Sequence, residues 1–143
     1  MKTLACAWLV LLLALPATAQ AQNTKDPKAW AEQFLNTIVE EGAKKANELL
    51  LNGTALGAER PDAIRGINEN MGRVEAFYGK ATGYEMLAEK KWGGSILVFI
   101  AIVKREKIPI FWRLVFYRYN SSWNLVHFDF RDKFDSINSF SLF

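Results

Sequence analysis

One cysteine, Cys6, and one histidine, His127, are all that the 143 residues offer of the softer metal ligands. That excludes a Cys/His zinc set, which needs three or four such donors, and one cysteine closes no disulfide within the chain. An excess of either charge is also missing: 18 Lys and Arg against 15 Asp and Glu leave a net +3, with the signs interspersed. A nucleic-acid surface needs a basic stripe or cluster. The densest charged group, Lys104-Arg105-Glu106-Lys107, reads instead as a solvated turn between two apolar strands. No glycine-rich loop follows a strand and opens a helix, so no motif supports a nucleotide-phosphate cradle. No nucleophile motif marks a Ser-His-Asp assembly. No apolar run approaches the ~20 residues that span a bilayer.

The first residues have an order of their own. Lys2 gives a basic start, Ala7 to Leu15 is apolar throughout, Pro16 breaks the run, and the small-x-small sites Ala17-Thr18-Ala19 and Ala19-Gln20-Ala21 follow. This is the layout of a secretory signal peptide over residues 1–21. Cys6 precedes the apolar run, whereas a lipidated cysteine would sit at its far end. Cleavage at either site leaves one domain, residues 22–143 if the second is used, with a net charge of +2 (17 basic minus 15 acidic) and no cysteine. An exported domain without disulfides must be held by packing alone. The reading is therefore a periplasmic or secreted protein, and the periplasm suits it better.

Within the domain, Asp26-Pro27 is an N-cap followed by proline at the first helical position. Trp30, Phe34 and Ile38 recur every four residues, and Ala46, Leu49 and Leu50 carry the stripe to Asn52-Gly53, which predicts one long amphipathic helix. Pro61 opens a second. Ile64, Ile67, Met71, Val74 and Tyr78 repeat at 3-4-3-4 spacing as far as Gly79, a C-cap residue. Gly66 and Gly72 weaken that helix, or mark the close approach of another backbone. A third short helix is possible in 54–60. After Gly79 the period becomes two, and four strands are expected over 81–92, 95–104, 108–119 and 123–131. Their short links, Gly93-Gly94 among them, force an antiparallel meander. The segment 133–143, with Phe134, Ile137, Phe140 and Phe143, reads equally as a strand, a wrap or a frayed end.

The last two strands hold eight aromatic residues: Phe111, Trp112, Phe116, Tyr117, Tyr119, Trp123, Phe128 and Phe130. Each can bury roughly 150–250 Å², so this hairpin belongs to a core. Side chains alternate between faces, and a slip of one residue exchanges the faces. An odd loop, Asn120 to Ser122, sets Arg113 across from Asp129, a pair worth ~0.2–1 kcal/mol, and the odd register is therefore expected. Extending the parity gives a first face of Tyr84, Met86, Ala88, Leu97, Phe99, Ala101, Val103, Ile110, Trp112, Leu114, Phe116, Val126, Phe128 and Phe130. The helices should cover it. The second face centres on Ile96, Val98, Ile100, Ile102, Phe111, Val115, Tyr117, Trp123 and Leu125. Its margin holds Glu85, Glu89, Lys91, Arg113, His127, Asp129 and Arg131. A solvated face would alternate to polar residues. An apolar centre with a charged rim is the composition of an interface. A second copy of the chain is the expected occupant, and coverage by the C-terminal tail is the alternative.

Helices followed by a curved antiparallel sheet with an aromatic final hairpin, over residues 27–132, resemble the nuclear transport factor 2-like superfamily, a cystatin-like α+β cone. Phe111-Trp112-Arg113 on one strand and Trp123-Asn124-Leu125-Val126 on the next carry the likeness. The resemblance implies helices capping a curved sheet around a small apolar pocket, and dimers formed through the sheet. Only two helices are evident here, where many members have three.

That family includes ketosteroid-isomerase-like and dehydratase enzymes, whose proton transfers need a base and a positioned acid in an apolar pocket. The first face offers only Tyr84, and the second helix offers Tyr78 near its end. His127 and Asp129, with Arg113 and Tyr117 across from them, form the best ionisable cluster, but on the interface face. No catalytic residue is assigned, and no metal or cofactor is expected. Pocket candidates are Tyr84, Tyr78, Trp112, Phe99 and Phe128. Interface candidates are Val98, Ile100, Phe111, Arg113, Val115, Tyr117, Trp123, His127 and Asp129. The leading reading is an exported, non-catalytic homodimer that binds a small apolar ligand or a protein partner. It has no nucleic-acid role and no stable membrane insertion after cleavage. The alternatives are a small isomerase or dehydratase using Tyr84 or Tyr78, or a structural module of an envelope complex.

Overall fold

Asp26 caps the first helix as its sequence predicts: its carboxylate accepts the Ala29 N–H at 3.0 Å, and Pro27 follows at the first helical position. The computed structural model describes residues 26–133. The expected leader at 1–21 and all but the first residue of the segment 133–143 lie outside the described residues. Four helices, α1 (Pro27–Glu41), α2 (Ala43–Leu51), α3 (Ala55–Glu59) and α4 (Pro61–Tyr78), precede four strands. These are β1 (Ala81–Trp92), β2 (Ile96–Arg105), β3 (Ile110–Tyr119) and β4 (Ser122–Arg131), paired antiparallel in the order β1-β2-β3-β4. The class is therefore α+β, helices on an open meander sheet, consistent with a curved, cone-like form.

The single long helix expected over 27–51 is two. Gly42 takes φ +92°, which breaks the run, and the Glu75 carboxylate of α4 accepts the freed Ala43 N–H at 2.9 Å. The cause of this break lies 32 residues away, outside any helical pattern. α3 is the third helix: Thr54 caps it by accepting from Gly57 N at 2.9 Å. Arg105 corrects the reading of the 104–107 turn. Its side chain is fully buried, donates to the Gly79 carbonyl at 2.8 Å and stands 3.9 Å from Glu75. Burial lowers its pKa, partly offset by Glu75. The guanidinium remains charged, because arginine starts so high.

Two loop lengths differ from expectation, and each is compensated. Gly93-Gly94-Ser95 forms a three-residue link, with Trp92 paired to Ile96. Asn120-Ser121 forms a two-residue link, with Tyr119 paired to Ser122 and Asn120 at φ +54°. A register shift between Met86 and Ala88 restores the β1–β2 pairing, and one between Val115 and Phe116 restores β3–β4. The extra residues of these bulges, Leu87 and Val126, are 43% and 44% exposed. Beyond the bulges the expected partners hold: Tyr84 pairs with Val103, Met86 with Ala101 and Arg113 with Asp129. Between bulge and turn the faces exchange. Ala88 moves to the outer face, and Glu89 and Lys91 leave it. Leu125 and Trp123 move to the helix-covered side, where Leu125 is 3% exposed. Val126 leaves the core.

The core joins α1, α2 and Met71 of α4 to the inner face of the sheet. Phe34 meets Trp112 edge-on at 4.9 Å, and Trp30 meets Phe116 at 5.5 Å. α4 is less deeply packed, with Met71 its one fully buried residue. No backbone approaches Gly66 or Gly72: a Cβ at either would meet nothing within 4 Å. Gly72→Ala should therefore stabilise the fold by about 0.4–1 kcal/mol in urea denaturation, through helix propensity. Gly42→Ala, forced to positive φ and 3.2 Å from the Glu75 carboxylate, should instead cost on the order of 1 kcal/mol or more.

Candidate functional site

The pocket candidates do not share one cavity wall. Trp112 and Phe99 are wholly buried and Phe128 is 9% exposed. Their surfaces are spent on packing: Phe99 lies edge-on to Phe116 at 5.9 Å, and Trp112 touches Phe34 and Phe130. Among the described residues Trp112 Nε1 has no hydrogen-bond partner, and an unsatisfied buried donor costs ~1–3 kcal/mol. Tyr84 packs half-buried against the same core. Tyr78, at the C-terminus of α4, lines a separate open cleft of about 550 Å³ with Arg73, Val74, Ala76 and Phe77.

Tyr78 has an acidic partner that sequence spacing did not reveal. Its hydroxyl donates to Asp132 Oδ2 at 2.5 Å, joining the end of α4 to the residue just past β4. The hydrogen bond to Asp132, aided by desolvation and the carboxylate charge, raises the phenol pKa above its ordinary 10.0. The phenol is thereby held as a donor and not as a base. The pair sits at the surface, where water competes for both groups.

A more enclosed groove, about 400 Å³, lies between the α2–α3 link and the start of β4. Trp30, Trp123, Leu125 and Val126 give it an apolar wall, while Asn52, Thr54, Ser122 and Asn124 supply polar atoms. The sequence reading missed it, because the bulge at Val126 is what turns Trp123 and Leu125 inward. Arg118 lies 5.6 Å over the Trp123 ring, within reach of a cation–π contact.

The outer face brings most interface candidates together. Val98, Ile100 and Phe111 are 2–4% exposed and pack with Ala88, Ile96, Ile102 and Val115. Arg113 grips Asp129 with two hydrogen bonds of 3.0 Å each, a bidentate geometry that fixes both side chains. Arg131 and His127 approach the same carboxylate at 3.7 and 3.8 Å. The pairing register places Tyr117, 39% exposed, at the end of this face opposite Phe111 and across from Ile96. Trp123 is the one interface candidate that the bulge removes.

Among the described residues no group of three His, Cys, Asp or Glu could hold a metal ion, and no helix is long and apolar enough to cross a membrane. Compared with models of known protein families, with curated proteins and with solved structures, the chain matches none.

The Tyr78–Asp132 bond gives a direct test of this geometry. Asp132→Asn should bring the Tyr78 phenol back down toward 10.0 in an ultraviolet titration, identified by its loss in Tyr78→Phe. Because the folded pKa is raised, the bond's stabilising contribution is present below pH 10.0 and is lost as pH rises through the folded value.

Proposed function

We propose that this chain is an exported, non-catalytic binding domain of the nuclear transport factor 2-like kind, working through the outer face of its sheet. The observation that carries the reading is the fixed charge cluster beside an apolar band, on the face opposite the helix-packed core. Arg113, Asp129, Arg131 and His127 are held together there, with Tyr117 half-exposed on the same face. Arginine and tyrosine are the side chains that most often anchor protein contacts, because they bring large area and directed donors.

A second copy of the chain is the partner this face fits. In the row that crosses the four strands, Glu85 stands at the β1 end and Arg131 at the β4 end, with Ile102 and Phe111 between them. A two-fold stack that lays one β4 side over the other β1 side sets Arg131 against Glu85 twice, which is the self-complementarity an isologous contact requires. Ligand binding in this reading belongs to the Trp30–Trp123 groove, whose apolar wall and few polar atoms suit a small apolar molecule.

Proton-transfer chemistry gains one observation, the Tyr78–Asp132 pair beside an apolar cleft. A phenol already donating to a carboxylate on open surface is a poor general acid, so the binding reading is preferred.

Sedimentation of residues 22–143 should show a dimer, and Tyr117→Glu should shift it to monomer with its circular dichroism unchanged. A monomer for the unmutated chain at high micromolar concentration would sink the second-copy contact. Arg113→Glu is a harsher probe, because it also sets like charges across the strands from Asp129.

A further inference from the structure

The groove between the α2–α3 link and the start of β4 differs in one respect from the clefts beside α2 and α4. Those are lined in part by charged side chains: Lys45 and Glu48 in one, Arg73 in another, Arg65 and Glu69 in a third. Among the described residues that line the groove, none is ionisable. Its polar side chains stand on both banks, Asn52 on the link and Ser122 and Asn124 on β4. Thr54 is already spent, because its hydroxyl donates to the Leu51 carbonyl and accepts the Gly57 N–H. Asn124 gives one amide hydrogen to the Ser122 carbonyl at 3.4 Å. Among the described residues the Asn52 carboxamide and the Ser122 hydroxyl have no partner. The two indoles are in position before any ligand arrives. Trp30 packs on Phe116 at 5.5 Å, and Arg118 lies 5.6 Å over Trp123, its cross-strand neighbour.

We propose that this groove binds a neutral sugar ring, stacked on Trp123 and held at its edges by Asn52, Ser122 and Asn124. The inference rests on the groove being the ligand site, and it narrows the ligand from an apolar molecule to one that is apolar on its faces alone. A charged ligand would give up its hydration and meet no opposite charge on the lining. A wholly apolar ligand would strip water from polar groups on both banks and return no hydrogen bond, and each group left unpaired is costly. A pyranose meets both demands. Its C–H faces are apolar and lie flat on an indole, while its hydroxyls point outward around the rim. Each hydroxyl donates and accepts, as do a carboxamide and a serine hydroxyl, so either bank can pair with it. At about 400 Å³ the groove is near the lower end of the range for small-molecule sites, roughly 300–1,000 Å³, which suits one or two rings.

The test is a nuclear magnetic resonance titration of nitrogen-labelled 22–143 with the methyl glycosides of glucose, galactose, mannose and N-acetylglucosamine. At least one should give saturable shifts of the Trp30 and Trp123 indole N–H signals and of the Asn124 side-chain amide. The charged counterparts glucuronate and glucosamine should bind on the order of tenfold more weakly. Asn124→Ala should weaken the glycoside roughly three- to tenfold, the loss of one hydrogen bond, with circular dichroism unchanged. Trp123→Leu should abolish binding; Asn124→Ala, at an exposed position, keeps the test decisive if that variant unfolds. Octan-1-ol is the comparison ligand. Indole shifts with octanol and with no glycoside would overturn the sugar and leave the groove as the site of an apolar ligand. No shift with either would sink both the sugar and the groove. Equal binding of the charged counterparts, or glycoside affinity unchanged in Asn124→Ala, would also overturn the proposal.

Discussion

The middle rows of the sheet are the constraint on which the other elements depend. Arg113 must meet Asp129, and Tyr84 and Met86 must meet Val103 and Ala101, or the apolar residues of two strands would turn away from α1. Neither hairpin link supplies that register by its own length. The count is corrected by a supernumerary residue within each outer strand, Leu87 in β1 and Val126 in β4. The correction leaves an apolar side chain in water at each site. It also lets Leu125 and Trp123 reinforce the core next to α1, and burying such side chains stabilises by ~1.5–3 kcal/mol each.

How far the sequence disclosed this follows from how local each cause is. Asp26-Pro27, Pro61 and Gly79 mark helix ends through their own backbone chemistry, and those boundaries were legible. The strand count, the meander and the Arg113–Asp129 pairing followed from period and parity. The break at Gly42 was not legible, because the carboxylate that replaces its lost backbone partner belongs to Glu75. Arg105 looked solvated within its charged run, yet the Gly79 carbonyl that receives it is contributed by another element. The bulges escaped for a related reason. A loop of odd or even length and a bulge give the same parity at a distance, so Arg113 and Asp129 were matched correctly through the wrong turn. The price was the misplacement of Trp123, Leu125 and Val126, and with them the groove that Trp30 and Trp123 line.

The two faces of one sheet thus serve different purposes. The inner face is committed to rings that pack on each other and on α1, and little of its surface is left to recognise anything. The surfaces left outside that packing are the groove at the bulged end of β4 and the charged margin of the outer face. The Tyr78–Asp132 bond ties the end of α4 to the exit of β4.

The bulge at Leu87 has a further consequence at the free side of the sheet. Among the described residues β1 and β4 are the edge strands, and an unpaired edge is a template on which another chain can add. On β1 the ladder is interrupted at Thr82 and again at Leu87, and Lys90 and Lys91 occupy the stretch that follows. An incoming strand would find no long regular row of donors and acceptors, and it would meet two positive charges. Fibril-like growth through this edge is therefore disfavoured, even though the chain is rich in β-formers and aromatic rings.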